Sequence, residues 1–391
     1  MPAPTPLEEL LAVATRERSL SIGLPASENN AERRFALTPE AAGSLVARGF
    51  RVRMQAGAAA CIHYADTAYV RQGVEVVDRR GAMACDIVLH LPALSVADAR
   101  MLRRGAMALT LFHPVQQDAG ALRVLLEKHV IALALDLITD EHGHRPFADI
   151  LHEIDGRAAL AIASSLLADA VHGKGILLGG ISGVVPCEIT VIGSDIAARA
   201  AARSAIGLGA LVRMFDDDAY SLREAVHELG PGVVASAMHP RVLGNALRTA
   251  DIVVAASTAR PVAIRADAVE DMKRGVLCFD ISRSETPAFP SLPQVDLAMA
   301  SPSDSDPAAP LRMCYINAGN AVARTAAMAL SNTLLTMLAD IVTCDGASNA
   351  LKLKPGLRAA AYTFLGKPVN ERMARLLGVR AVDINIFLQL S

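Results

Sequence analysis

Residues 186–216 read PCEITVIGSDIAARAAARSAIGLGALVRMFD. The run 188–192 alternates and ends in β-branched residues, as a buried strand does. Gly193 follows, then an alanine-rich helical segment to about residue 208, then a second apolar run, 210–215, that ends on Asp216. Strand, tight turn, helix, strand and terminal acid make up the first half of a dinucleotide-binding unit. In that pattern the first glycine makes the turn and the second lets backbone approach a diphosphate. The third lets helix and strand pack closely, and the acid holds the ribose. Here the three glycine positions are Gly193, Asp195 and Ala198. Gly193, Ser194, Asp195 and Asp216 are therefore the candidate cofactor-binding residues, and Asp216 favours NAD over NADP. Ala198 is a mild change, but Asp195 brings a side chain and a negative charge to the place of closest approach. Two unit charges about 4 Å apart repel by roughly 1 kcal/mol in water and about 4 kcal/mol at an effective dielectric near 20. The structural alternative stands beside this: an Asp before a helix is also a good N-cap.

Working outward, the same alternation continues on both sides. SIGLPA, FRVRMQAG, VEVVD, DIVLHLP, AMALTLFHP and IALALDLI are short apolar runs separated by helical segments. One of these, TPEAAGSLVARG, has Thr38 at the N-cap and Pro39 at its first position. A long helical stretch, about 147–171, precedes the glycine-rich passage GKGILLGGISGVVP. Three further strands, VVASAM, DIVVAAS and GVLCFDIS, follow the nucleotide-type unit. Residues 284–310 read as loop, 318–338 as a second long helix, and the tail as a hairpin-like start, a short helix and an apolar end. Repeated βα units imply parallel sheets. The expected fold is α/β with two domains. A Rossmann-like doubly wound parallel sheet (146–314) is inserted into a second α/β domain built from both chain ends (1–145 and 315–391). The first eighteen residues read as an extra amphipathic helix or loose tail.

Composition excludes several classes. A chain of 391 residues with 52% hydrophobic and 20% charged residues can bury a large core. A net charge of −2 without a basic block argues against a nucleic-acid partner. No apolar run reaches the eighteen or so residues of a membrane span, and the N-terminus lacks the order of a secretory signal. The six cysteines (Cys61, Cys85, Cys187, Cys278, Cys314 and Cys344) include no CxxC pair. They read as buried free thiols in a reducing, cytoplasmic setting. His142 and His144 in DEHGHRP are better explained by a turn than by a metal, and no metal site is expected. The run Asp216, Asp217, Asp218 reads as a strand end and solvated turn.

ENNAERRFALTPEAAGSLVARGF, GKGILLGGISGVVP before a Rossmann unit, CYINAGNAVARTAAMALSNTLL and YTFLGKPVNERMARLLGVRAVDINIFLQ occur in that order. Together they resemble the alanine dehydrogenases and the related transhydrogenase domain. The ending is most similar to that of the longer bacterial alanine dehydrogenases. The resemblance implies oxidation of L-alanine with NAD, and assembly as dimers stacked into hexamers. It also implies an Arg and a Lys on the substrate carboxylate, a His at the amine or carbonyl, and an Asp near the nicotinamide.

Matched to that pattern, Arg34 in ERRFALTP is the carboxylate clamp, a task suited to a bidentate guanidinium. His113 in LTLFHP is the proton-transfer His, at a strand end where α/β sites lie. Asn317 in YINAGN matches a substrate-side position, and Glu153 in HEIDGRAA a lesser one. Two departures stand out. The Lys-bearing strand end reads DIVLHLPAL, with His90 or Pro92 at the matched positions, so His90 is either a surrogate base or a buried structural His. The loop that carries an Asp and glycines in the family reads FDISRSET, with Asp280 at the strand end and Ser282 to Ser284 beyond it. Two readings of different class follow. One is an oxidoreductase acting on a small amino, keto or imino acid through a degenerate, rebuilt site. The other is a lapsed homologue that acts as a binding or assembly protein, with a non-redox lyase or condensing enzyme as a weaker option.

Overall fold

The computed structural model describes residues 20–28, 32–113, 116–257, 260, 262–299, 312–343 and 347–389. The segment read as an N-terminal helix or tail lies outside them. The chain forms two compact units. Unit 1 comprises Met1–Ala26, Ala36–Ala134 and Leu334–Ser391; unit 2 comprises Ser27–Phe35 and Leu135–Thr333. The boundaries read from the sequence, 145/146 and 314/315, both lie within unit 2.

Unit 1 holds a sheet of eight strands: β1 (Ser21–Leu24), β2 (Arg51–Gln55), β3 (Glu75–Val77), β4 (Ile87–Leu89), β5 (Met107–Thr110), β6 (Ile131–Ala134), β14 (Ala361–Phe364) and β15 (Lys367–Pro368). Their spatial order is β15-β14-β6-β5-β4-β1-β2-β3. β1 to β6 run parallel, and β14 lies antiparallel to β6. β1, β4, β5 and β6 are buried throughout, which is why each reads as an unbroken apolar run. β14 and β15 form the hairpin expected of the tail. Its turn residues Leu365 and Gly366 both take positive φ, 45° and 76°, as a two-residue hairpin turn requires.

Unit 2 holds a second sheet: β7 (Glu188–Ile192), β8 (Leu211–Phe215), β9 (Val233–Ser236), β10 (Ile252–Ala255), β11 (Leu277–Asp280), β12 (Gln294–Asp296) and β13 (Cys314–Ile316). All seven run parallel, in the order β12-β13-β11-β10-β7-β8-β9. Strand order reverses between β7 and β10, so the crevice where open α/β sheets bind ligands opens there. β12 corrects the reading of 284–310 as loop: it is a three-residue polar strand on the sheet edge. The second long helix is also interrupted. A short helix, Ala318–Ala321, ends at Val322 (φ −113°, ψ 38°), and a new one runs over Ala323–Thr343.

The helices Pro146–Ala168 and Ile196–Gly207 pack backbone against backbone. A Cβ placed on Gly156 would lie 2.3 Å from the Ala197 carbonyl oxygen and 2.8 Å from the Ala201 nitrogen. The alanines facing it (Ala197, Ala200, Ala201) are buried. Gly156 thus permits a close helix–helix contact, distinct from the helix–strand packing that the motif assigns to its third glycine. Among the described residues, no helix is long and apolar enough to cross a membrane.

Candidate functional site

The carboxyl edge of the unit 2 sheet begins with the turn after β7. Gly193 has φ 115°, and a Cβ there would meet the Ser257 nitrogen at 2.8 Å, so only glycine fits. Ser194 is fully buried and donates its hydroxyl to Asp216 Oδ2 at 2.7 Å. Asp216 Oδ1 accepts from the Asp218 amide at 2.9 Å. Asp195 is the N-cap of Ile196–Gly207, its Oδ1 accepting from the Ala198 amide at 3.2 Å. The cap is thus the role that Asp195 has in the fold. Its carboxylate lies at the helix N-terminus, where the motif places an anionic phosphate. Arg199, one turn on, is held by the Ser194 carbonyl and by Glu224 and Glu228.

Arg34 is neither a surface residue nor an open clamp. It is 5% exposed. Its Nε donates to Glu32 Oε1 at 2.7 Å and its Nη2 to Glu32 Oε2. The bidentate face expected to grip a ligand is therefore closed by a carboxylate two residues earlier. Burial works against the charge of Arg34, but Glu32, with Asp155 and Asp136 beyond it, raises its pKa above the ordinary value.

Sequence reading missed Asp155 and Arg283. Asp155, buried on the helix Pro146–Ala168, accepts from the Gly319 amide at 3.0 Å through Oδ1. Its Oδ2 accepts from Arg283 Nε at 2.7 Å and Nη2 at 2.6 Å. Asn320, the next residue after Gly319, accepts from the Arg33 amide at 2.7 Å. Asp155 thus ties together the loop after β11 and the turn after β13, and Asn320 joins that turn to the backbone beside Arg34. Asn317 itself is exposed, left-handed (φ 58°) and bonded to Asp296 at 2.9 Å. Asp280 is consumed by its own loop: Oδ1 accepts from the Ser282 amide and hydroxyl, Oδ2 from the Ala288 amide. His152, on the same helix as Asp155, is a further missed residue. Burial first, and Arg283 second, lower its pKa, against the opposing pull of Asp155, Asp195 and Asp149.

In unit 1, His90 and His113 stand beyond the carboxyl ends of β4 and β5. His90 is 4% exposed and donates its backbone N–H to the Leu109 carbonyl. It lies near Asp98, whose charge is opposed by burial but favoured by bonds from Arg79 and Ser95 and by His90, leaving its pKa lowered. His90 is therefore a buried side chain beside the Arg79–Asp98 ion pair. His113 is half-buried and has φ 33°, a left-handed backbone that costs a non-glycine residue about 1–2 kcal/mol.

The remaining motifs have structural explanations. His142 and His144 donate their backbone amides to Asp140 Oδ1 in a turn. No cluster suited to a metal ion occurs among the described residues. Glu153 pairs with Arg157 on an exposed helix face. Cys85, Cys187, Cys278 and Cys314 are buried free thiols, and burial pushes the Cys278 thiol up to about 12. Cys344 lies outside the described residues. A hollow of about 590 Å³ involving Glu270, Arg274, Leu292 and Arg312 lies at the amino edge of the sheet, away from these groups.

Comparison with known proteins gives a consistent picture. Residues 23–151 match the family model "Alanine dehydrogenase/PNT, N-terminal domain", and residues 159–371 match "Alanine dehydrogenase/PNT, C-terminal domain". The alanine dehydrogenase of Bacillus subtilis is 27% identical over 373 residues, covering 94% of this chain and 97% of its own. That of Mycobacterium tuberculosis (strain H37Rv) is 27% identical over 377 residues, covering 92% and 97%. Among solved structures, an L-alanine dehydrogenase superposes with TM-score 0.81 at 22% identity, over 92% of this chain and 99% of that one. A transhydrogenase from Sinorhizobium meliloti gives TM-score 0.71 at 20% identity, over 90% and 99%.

Proposed function

The chain belongs to the alanine dehydrogenase/PNT family, and from that premise we propose that it is an amino-acid dehydrogenase-like oxidoreductase whose nicotinamide site is degraded. Its substrate class is a small amino or keto acid. The substrate-side candidates are Arg34, which must release Glu32 to take a carboxylate, and Asn317, and the proton-transfer candidates are His113 and His90. The carrying observation is the bond from the Ala198 amide to Asp195. A dinucleotide needs free amides and positive potential at that helix end. Here a carboxylate accepts from one of those amides and adds negative charge. The residues present do not fit a diphosphate, so no hydride step is derived through this site.

A second reading is a homologue that binds its ligand but has lost turnover. It is favoured by Asp280, whose two oxygens are used within its own loop, and by the absence of a Lys near His90 in the sequence. Binding of a small acid is expected to outlast reaction. Losing one positioned proton-transfer group costs about 10²–10⁴-fold in rate, and groups acting as a unit do not lose rate additively.

Calorimetric titration with NAD, NADH, NADP and NADPH tests the cofactor reading. Weak or no binding is expected, and Asp195→Gly should strengthen NAD binding by about 1–3 kcal/mol. Glycine is tolerated at an N-cap at a cost of only a few tenths of a kcal/mol, so the variant should fold. Tight NAD binding that is unchanged in Asp195→Gly, or robust NAD-linked alanine turnover by the unmodified protein, would refute this reading.

A further inference from the structure

The loop that follows β11 carries a charge of the wrong sign for its family. Where the resemblance places an Asp followed by glycines, this chain has Ser282, Arg283 and Ser284. The loop is internally braced. Asp280 holds the amides of Ser282 and Ala288, the Ser282 hydroxyl accepts from the Ser284 amide, and the Ser284 hydroxyl accepts from the Thr286 amide. Within that frame Arg283 takes a left-handed backbone, φ 53°, although it is not a glycine. Strain of this kind persists where the surroundings over-determine it, and it clusters at functional sites.

What holds Arg283 is Asp155. Nε and Nη2 both donate to Asp155 Oδ2, which leaves Nη1 without an acceptor among the described residues. Burial across the pair is unequal: 6% of the Asp155 side chain is exposed against 31% of the Arg283 side chain. Other ion pairs of this chain, such as Lys273–Asp251, are also more exposed on the cation side, so the inequality means only that part of Arg283 is open to solvent. Here the carboxylate is the buried anchor and the cation is the exposed face. Arg283 lies three residues beyond the end of β11, on the carboxyl edge of the unit 2 sheet where open α/β sheets bind ligands. Arg34 has the same two donors taken by Glu32, but it is only 5% exposed and so offers a ligand no open edge.

We infer that Arg283, presented by Asp155, is an anion-binding residue of this site, and that the ligand is a small acid bearing a second anionic oxygen group, carboxylate or phosphate. The inference rests on the small-acid reading above for the first carboxylate, and on the Asp155–Arg283 geometry for the second group. Guanidinium suits either group, since both offer paired oxygens to its N–H donors.

Three probes test it by calorimetry at constant pH: pyruvate, 2-oxoglutarate and inorganic phosphate. The unmodified protein should bind 2-oxoglutarate or phosphate at least tenfold more tightly than pyruvate. Arg283→Gln should remove that preference and leave pyruvate affinity within twofold, while Arg283→Lys should restore part of it. Loss confined to 2-oxoglutarate identifies a carboxylate; loss confined to phosphate identifies a phosphate-type group. A lowered melting temperature in Arg283→Gln with all three affinities unchanged would make the pair a strut and overturn the inference. Phosphate binding that depends on Arg283, without any pyruvate binding, would remove the small-acid reading and leave the role of Arg283 standing. No binding of any probe by the unmodified protein would overturn both.

Discussion

Arg34 shows how a residue singled out by a motif can have its guanidinium occupied within the fold. The local pattern ERRFALTP singles it out, but Glu32 lies two residues earlier and closes the guanidinium. Removing one partner of a buried ion pair leaves the other charge uncompensated, at a cost of about 3–5 kcal/mol. Arg34→Met should therefore lower stability by that order in urea denaturation. The double variant Glu32→Leu with Arg34→Met should lose distinctly less; equal losses would mean that the pair is not coupled. His152 supplies a pH signature. Its folded pKa is depressed below 6.5, first by burial and then by Arg283. Between that lowered value and about pH 6.5 the unfolded chain binds more protons than the folded one, so stability rises with pH through this window. As pH falls below 6.5 the contribution is lost. Denaturation midpoints of His152→Gln should be flatter across this interval than those of the parent; parallel profiles would rule out His152 as the source.

Among elements, those buried on both faces were legible and those at edges or contacts were not. β7, β10 and β11 read as apolar runs because parallel strands covered on both sides need no polar alternation. β12 did not, since Gln294–Asp296 is short, polar and at an edge. The helix break at Val322 left no trace in an alanine-rich stretch, because the break is a backbone state, not a change of composition. The turn Gly193–Asp195 and Asp216 could be found from spacing alone, since one βαβ unit holds them. Asp155 and Arg283 could not: they are 128 positions apart, and Asn320 and Arg33 are 287 apart. Gly156 is similarly silent, because its role depends on the backbone of another helix. Gly156→Ala would drive a methyl against the Ala197 carbonyl oxygen. Overpacking of this kind costs about 1–3 kcal/mol. Chemical denaturation should register that loss, despite the better helix propensity of alanine, and an unchanged or raised midpoint would show that the two helices can separate freely.

For the whole molecule, the resemblance implies assembly, and the passage GKGILLGGISGVVP gives that expectation a physical basis. Its glycines allow tight turns: Gly175 and Gly183 take positive φ, and Gly179 and Gly180 have no room for a Cβ. Apart from Leu178, which is buried, its aliphatic residues nevertheless face solvent. Leu177 is 68% exposed, Ile181 62% and Val185 86%, with Val171 and Val184 beside them in sequence also exposed. Scattered apolar residues on a surface need no explanation, but a concentration in one short segment is characteristic of a covered face. Most soluble oligomers are built from copies of one chain, so a second copy is the proposed cover. Light scattering at micromolar concentration should give a mass of at least twice the 41.1 kDa chain. Leu177→Asp combined with Val185→Asp should shift that mass toward the monomer without lowering the melting temperature of the isolated chain, because both side chains are exposed and contribute little to its core. A strict monomer before mutation, or an assembly indifferent to both charges, would place the contact elsewhere or remove it.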